Sequence, residues 1–349
     1  MKNTSKVIFI ALLCVLICSC NNVKFERAST LAVTQIDSMH SVSKNNILSL
    51  LHRLGMSDSA LLGQNIGCAD GNLAYRHMDN LNPKPSILGI DLGYDTYGRD
   101  YIQMIAYIEN HVKSGGLVTF NMEMPNPYNK KGDHDKTVFD YSLLTDESTS
   151  ANFNLKTILA NIGNLLQRLK DKHIIVLFRP FHEMNGGWYW WGSDKHWPTQ
   201  QEFQNLWIYT HDYLTKERKL DNILWVYSVN HQYDPKQKSV DYYYPGDQYV
   251  DIVGLDYYQD NMSMVDQNGS LSKLSQYKKP IAFSEIGSKK IRKGNFDNNL
   301  YKEVLQYHQV SYILIWHSWP NNKMAIEENL NASSLINDGR FLPLGSAKY

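Results

Sequence analysis

Hydrophobic and polar positions divide most of this chain into short apolar runs that alternate with segments of helical spacing. The runs lie at Ala60–Asn65, Ser86–Leu92, Leu117–Met122, His173–Phe178, Ile223–Ser228, Tyr249–Tyr257, Pro280–Glu285 and Tyr312–Trp316. Near-continuous apolar character over so few residues is the mark of strands buried on both faces. Helical spacing covers Thr30–Leu54, Asp100–Lys113, Asn154–Lys170, Gln200–Lys219 and Phe296–Tyr307. Strands alternating with helices predict an α/β chain with a parallel sheet under helical cover. Eight strands at intervals of about thirty residues favour a single closed (β/α)8 TIM barrel over an open sheet. No G-x-G-x-x-G turn follows the first strand, which weakens a dinucleotide-binding alternative. Two stretches resist assignment. Pro125–Ser150 is polar with no clear period, a length that in compact domains accompanies function or mobility, and Leu330–Tyr349 reads as irregular.

The first residues follow a different logic. Lys2 and Lys6 precede the apolar run Val7–Ile17, which is too short to span a bilayer. Ile17-Cys18-Ser19-Cys20 then resembles a bacterial lipobox. Residues 1–19 are therefore expected to be a lipoprotein-type signal peptide, with Cys20 lipidated and 20–29 a polar linker. Residues 30–349 would form one catalytic domain, exported and anchored to a bacterial membrane by lipid alone. Plain secretion with cleavage nearby is the alternative. Cys14 and Cys18 leave with the signal, so Cys68 is the one thiol in the body and no internal disulfide is expected.

Composition changes the picture little. Of the 349 residues, 43% are apolar, and 35 Lys and Arg balance 35 Asp and Glu, so nothing points to nucleic acid as a partner. Twenty-three tyrosines and eight tryptophans are many for this length and suit either an aromatic core or a carbohydrate surface.

Candidate chemistry concentrates where the strands end. The fourth strand runs into Arg179-Pro180-Phe181-His182-Glu183-Met184-Asn185-Gly186-Gly187-Trp188, and Trp190 and Trp191 follow. A carboxyl group walled by indole rings suits a site that handles sugars, because indole faces stack on the C–H faces of pyranoses. In a barrel, chemistry sits at the carboxyl ends of strands. The seventh strand closes on Glu285, a charged residue ending an apolar run, which needs a partner or a function. Two carboxyl groups across a barrel mouth are what glycoside hydrolysis requires, one as proton donor and one ionised.

Arg179-Pro180-Phe181-His182-Glu183-Met184-Asn185-Gly186 with Trp188 and Trp191-Gly192 resembles the acid/base signature of glycoside hydrolase family 26, the β-mannanase family in the clan of retaining (β/α)8 barrels. Gly254-Leu255-Asp256-x-Tyr258, Phe283-Ser284-Glu285-Ile286-Gly287 and the Trp316 strand match later motifs of that family in order. The resemblance spans roughly Gly63 to Trp316. It implies Glu183 as general acid/base and Glu285 as nucleophile in a double displacement. It further implies that His182 bonds near the reacting sugar, that Trp188 and Trp316 stack on sugar rings, and that Tyr258 bonds Glu285. Arg179 and Asp256 would support that network. No cofactor or metal is implied, and the protein is expected to act as a monomer.

One departure stands out. Where many family members carry Trp-His after the third strand, this chain has Met122-Glu123-Met124-Pro125-Asn126-Pro127. Glu123 is then a substrate-binding residue and a third carboxylate in the neighbourhood. The resemblance implies an endo-β-1,4-mannanase acting on mannan, glucomannan or galactomannan, and permits an exo mode releasing mannobiose. Alternatives are a family member acting on β-1,3-xylan or mixed-linkage β-glucan, and a catalytically idle sugar-binding lipoprotein. A metallohydrolase would need several strand-end histidines at ligand spacing, and a serine hydrolase a G-x-S-x-G elbow; neither pattern is present.

Overall fold

The computed structural model describes residues 43–68, 73–93 and 101–347. The signal peptide, Cys20, the linker and the first part of the Thr30–Leu54 helix lie outside the described residues.

All eight predicted strands are present and parallel: β1 Ala60–Cys68, β2 Ile87–Leu92, β3 Leu117–Met122, β4 Val176–Arg179, β5 Ile223–Asn230, β6 Ile252–Tyr258, β7 Ile281–Gly287 and β8 Tyr312–Ile315. Each pairs with the next, and β8 pairs with β1, which also pairs with β2. The sheet is therefore a closed barrel. Several strands run past their predicted ends at the carboxyl side, where polar residues continue the ladder; Asp256 pairs with Glu285 in register.

The amino end of the barrel is plugged. Ser43 caps the helix Lys44–Leu54 by accepting from the Asn46 amide. That helix turns Ile47, Leu50, Leu51 and Leu54 onto a cluster of strand residues that includes Leu61, Ile87, Leu117, Leu177, Leu224, Ile252 and Leu314. A second, larger cluster fills the space between the strands and the outer helices, among them Ile102–Lys113, Ser150–Lys170, Gln200–Asp212 and Leu300–Tyr307. With one end sealed by apolar packing, the carboxyl end of the strands is left to carry polar chemistry.

Three sequence expectations need correction. The tail is not irregular: it forms a short helix, Ala332–Ile336, and a two-residue strand, Phe341–Leu342, that pairs with the start of β1. Elements this short show no readable period. The helix expected to run to Lys219 leaves α geometry at Asp212 and continues as a π turn, Tyr213–Glu217. Trp190 and Trp191 are not sugar-cleft walls; both are fully buried and pack around Phe181. Their indole N–H groups donate to the backbone oxygens of Met124 (2.8 Å) and His182 (2.9 Å), so they brace the Glu123 and Glu183 loops from behind.

The polar 125–150 stretch is held in place by side chains rather than by regular structure. Asn126 and Asn129 both donate to Asp135, Asp140 caps a single 3-10 turn at Tyr141–Leu144, and Tyr141 donates to the Trp190 carbonyl. Backbone groups paired in this way have no use for a helical or strand pattern in the sequence.

Candidate active site

Glu183 sits beyond the end of β4, on a turn where both Phe181 (φ 52°) and Glu183 (φ 53°) take left-handed backbone geometry. Residues with a Cβ seldom adopt it, at a cost of about 1–3 kcal/mol each, so the surroundings must hold it. They do so with a bond from the Glu183 amide to the Ser228 carbonyl (3.0 Å) and another from the Gly186 amide to the Glu183 carbonyl (2.9 Å). Gly192 closes the same loop against the Met184 carbonyl, where an added Cβ would lie 1.9 Å from the oxygen. The Trp188 indole N–H donates to Glu183 Oε2 at 2.8 Å.

Glu285 is nearly buried at the end of β7 and is gripped at both oxygens. Arg179 Nη2 donates to Oε1 at 2.9 Å, and the Tyr258 hydroxyl donates to Oε2 at 2.7 Å. The guanidinium is wholly buried and also reaches Asp256 (3.4 Å) and the Ser228 hydroxyl (3.1 Å). Asp256 accepts in turn from the hydroxyls of Ser228 and Ser284. Gly254 makes that possible, since a Cβ there would lie 2.1 Å from Ser284 Oγ. Burial and the charge of Glu285 push Asp256 up to about 8, against the pull of Arg179 and the two serines.

One oxygen from each of Glu183, Asp256 and Glu285 lies within 4.8 Å of the others. Carboxyl groups of a retaining glycosidase stand about 5–5.5 Å apart, whereas inverting enzymes need about 6.5–9.5 Å to fit a water. An oxygen-to-oxygen approach of Glu183 and Glu285 within 4.8 Å is compatible with the shorter of these spacings. Their surroundings are opposed. Glu285 has a cation and a phenol on its oxygens, while burial, then the charges of Glu285 and Asp256, raise Glu183 well above the usual carboxylate range. Such a shift favours the protonated form, which is the form that can donate a proton. Arg179 already bridges two of these three carboxylates, Asp256 and Glu285. Cys68, Asp91 and His317 form another group of possible metal ligands within 4.8 Å of one another.

The Trp188 bond gives a direct test. An N–H donor favours the ionised form of Glu183 and lowers its pKa. Trp188→Phe removes that pull, so the pKa rises further and the acid stays protonated to higher pH. The alkaline limb of the kcat/KM profile is expected to move to higher pH; a limb that stays put or moves down would separate Trp188 from the acid.

Trp188 is half-buried at the mouth, as is Trp316, just past β8. Glu123 follows β3 directly and is half-buried. The charge of Asp91 and then burial push it up to about 9, so at neutral pH it carries a proton and offers a hydrogen-bond donor as well as an acceptor. His182 is placed differently from the rest. It is 2% exposed, its Nε2 lies 3.1 Å from the Tyr189 hydroxyl, and its ring packs against Tyr189 and Trp191 behind the acid.

Sequence reasoning missed Ser228, Ser284, Tyr189 and Asp91. Asp91 carried a signal of the same kind as Glu285: a charged residue inside the apolar run of β2, fully buried. The serines and Tyr189 carried none, being ordinary residues at strand ends and in aromatic loops.

A closed parallel barrel with paired carboxylates at its carboxyl mouth has the architecture on which two-carboxylate glycosidases are built. The sequence profile of glycosyl hydrolase family 26 matches residues 38–343, and the chain belongs to that family. Among its relatives is mannan endo-1,4-beta-mannosidase A and B of Caldalkalibacillus mannanilyticus, 36% identical over 250 residues, or 69% of this chain and 47% of that protein. A mannan endo-1,4-beta-mannosidase of Bacillus subtilis is 34% identical over 283 residues, 75% of this chain and 73% of the other. The chain thus spans about half the length of the first relative and about three quarters of the second. A solved Bacillus subtilis mannanase superposes with a TM-score of 0.75 at 26% identity, covering 88% of this chain and 94% of the other.

Proposed function

We propose that this protein is a retaining endo-β-1,4-mannanase that cleaves mannan, glucomannan or galactomannan. The observation that carries the reading is the close spacing of Glu183 and Glu285 in opposed electrostatic settings. The family and its mannan-cleaving relatives supply the sugar.

In the first step Glu285 attacks the anomeric carbon as Glu183 passes its proton to the leaving glycosidic oxygen, so the C–O bond breaks and a glycosyl ester forms. Glu183, now ionised, takes a proton from water in the second step. The hydroxide formed displaces Glu285 and restores both groups. Arg179 and Tyr258 hold the nucleophile's oxygens and receive its charge again when the ester is cleaved. Asp256, held by two serines, fixes the guanidinium. Trp188 and Trp316 are placed to stack on sugars, and Glu123 to bond a hydroxyl.

Two inversions return the starting configuration. Proton NMR of fresh digests of mannan oligosaccharides is expected to show the β anomer first, with α appearing only by mutarotation. Initial α product would sink the double displacement. Reducing-sugar release from mannan, galactomannan, β-1,3-xylan and mixed-linkage glucan, with product lengths followed over time, tests both the substrate and the endo mode.

The export signal belongs to the same reading. A polysaccharide too large to enter a cell is met outside it, and Cys20 would tether the enzyme to the membrane through lipid. Cys20→Ala is expected to release the protein from the membrane fraction; a variant that stays bound would argue for another anchor.

A further inference from the structure

Directly after the nucleophile's strand the chain reads Ser288-Lys289-Lys290-Ile291-Arg292-Lys293-Gly294, four cations in five residues within a chain of balanced charge. The Asp260 carboxylate accepts from the amides of Lys289 and Lys290 and from the Ser288 hydroxyl, which fixes the course of this loop. Lys293 bridges to Lys323 on the loop after β8, and the Lys323 amide donates to the Arg292 carbonyl at 2.9 Å. The two loops together wall a cavity of about 740 Å3, whose lining includes Arg76, Arg292, Lys293, Trp319 and Lys323. It lies over the carboxyl ends of β8 and β1, beside the strand that carries Glu285.

The charges in this cavity do not cancel. Arg76 is taken up by Glu327 and Glu328. Arg292 lies over the Trp319 ring at 5.4 Å and bonds only the Ser288 carbonyl. Among the described residues no carboxylate pairs with Arg292, Lys293 or Lys323. Neutral mannan makes no use of three uncompensated cations. Glu328 also lines the cavity but is held by Arg76, which leaves three cations in excess. A charge run on a convex surface is ordinarily just solvated, but a concave site with a net excess of one sign concentrates the opposite sign. Trp319, half-buried in the same wall, offers an apolar face for a sugar ring.

We propose that this cavity is a subsite for an acidic sugar unit, so that the enzyme prefers mannan chains bearing carboxylate or sulfate substituents. The proposal rests on the mannanase reading and narrows its substrate. The shared chemistry is an anionic oxygen group on a pyranose, met by guanidinium and ammonium groups beside an indole.

The test compares galactomannan with the same polymer after its side-chain galactose is oxidised at C6 to the uronate, and with a sulfated galactomannan. The purified protein is expected to cleave at least one charged polymer with a kcat/KM roughly tenfold above the neutral one. That ratio should fall towards one in Lys293→Gln/Lys323→Gln and at ionic strength well above physiological. Faster cleavage of the uronate alone assigns a carboxylate, and of both, a general anion site. Equal or slower cleavage of both charged polymers overturns the proposal while leaving the mannanase intact. If the neutral polymer is not cleaved at all, the mannanase reading fails. The pocket is then judged by calorimetry of Glu285→Ala with uronate-bearing oligosaccharides, where tighter binding than the neutral oligosaccharide, lost in the lysine variant, supports it and equal binding overturns it.

Discussion

Glu285→Ala is expected to lower kcat on mannan by at least about 10^5-fold, because no covalent intermediate can form without the nucleophile. The loss should be chemical rather than structural. Asp256 remains beside Arg179, and the loss of Glu285 removes a charge that raised that carboxyl's pKa, so the buried guanidinium keeps a carboxylate partner. Circular dichroism should therefore match the parent protein. Azide can enter the space left by the carboxylate and attack from the same face, while Glu183 still protonates the leaving group. With an activated β-mannoside the product is then the α-mannosyl azide. Full activity in Glu285→Ala, or rescue that yields the β-azide, would remove Glu285 from the nucleophile's role.

Glu183→Ala should behave differently, and the difference carries the assignment. General acid catalysis is worth about 10^2–10^4-fold, so mannan, with a poor leaving group, should be cleaved slower by that factor. An aryl mannoside with an acidic phenol departs without help. Its first step should be nearly normal, and the glycosyl-enzyme should accumulate because no base activates water, giving a burst followed by slow turnover. Azide needs no base and should speed that turnover, this time giving the β-mannosyl azide. The opposed azide products of the two variants distinguish acid/base from nucleophile without reference to any other protein. An identical response to leaving group and azide in both would undo the assignment.

Much of this was legible in the chain. The strands were readable because a barrel buries both strand faces, so Ile223, Leu224, Trp225, Val226 and Tyr227 follow one another without polar interruption. The placement of Glu183 and Glu285 at the barrel mouth was readable because a carboxylate at or just past the end of such a run has no place in the core. What could not be read follows from the same physics. Trp190 and Trp191 look like Trp188 in sequence, and only packing against Phe181 decides which indole faces the cleft. The left-handed backbone at Phe181 and Glu183 has no glycine to announce it, because the surroundings impose it. Ser228 and Ser284 come within 2.8 Å of each other around Asp256 across 56 positions of sequence, a closeness that exists only once β5, β6 and β7 are side by side.

The barrel order also divides the mouth into two territories. Arg179, Glu183, Ser228, Asp256, Tyr258, Ser284 and Glu285 all come from the arc β4–β5–β6–β7 or the turns that end it. Trp316, Cys68, Asp91 and Glu123 come from the opposite arc, β8–β1–β2–β3, and so do most of the residues walling the basic cavity. On the proposed mechanism bond making therefore rests on the first arc, while the sugar contacts are shared between Trp188 beyond the end of β4 and residues of the second arc. A lineage can rewrite the second arc, at Glu123 or Lys323 for instance, without touching the charge network around Glu285. Substrate range in such an enzyme is cheap to change, and its stereochemical outcome is not.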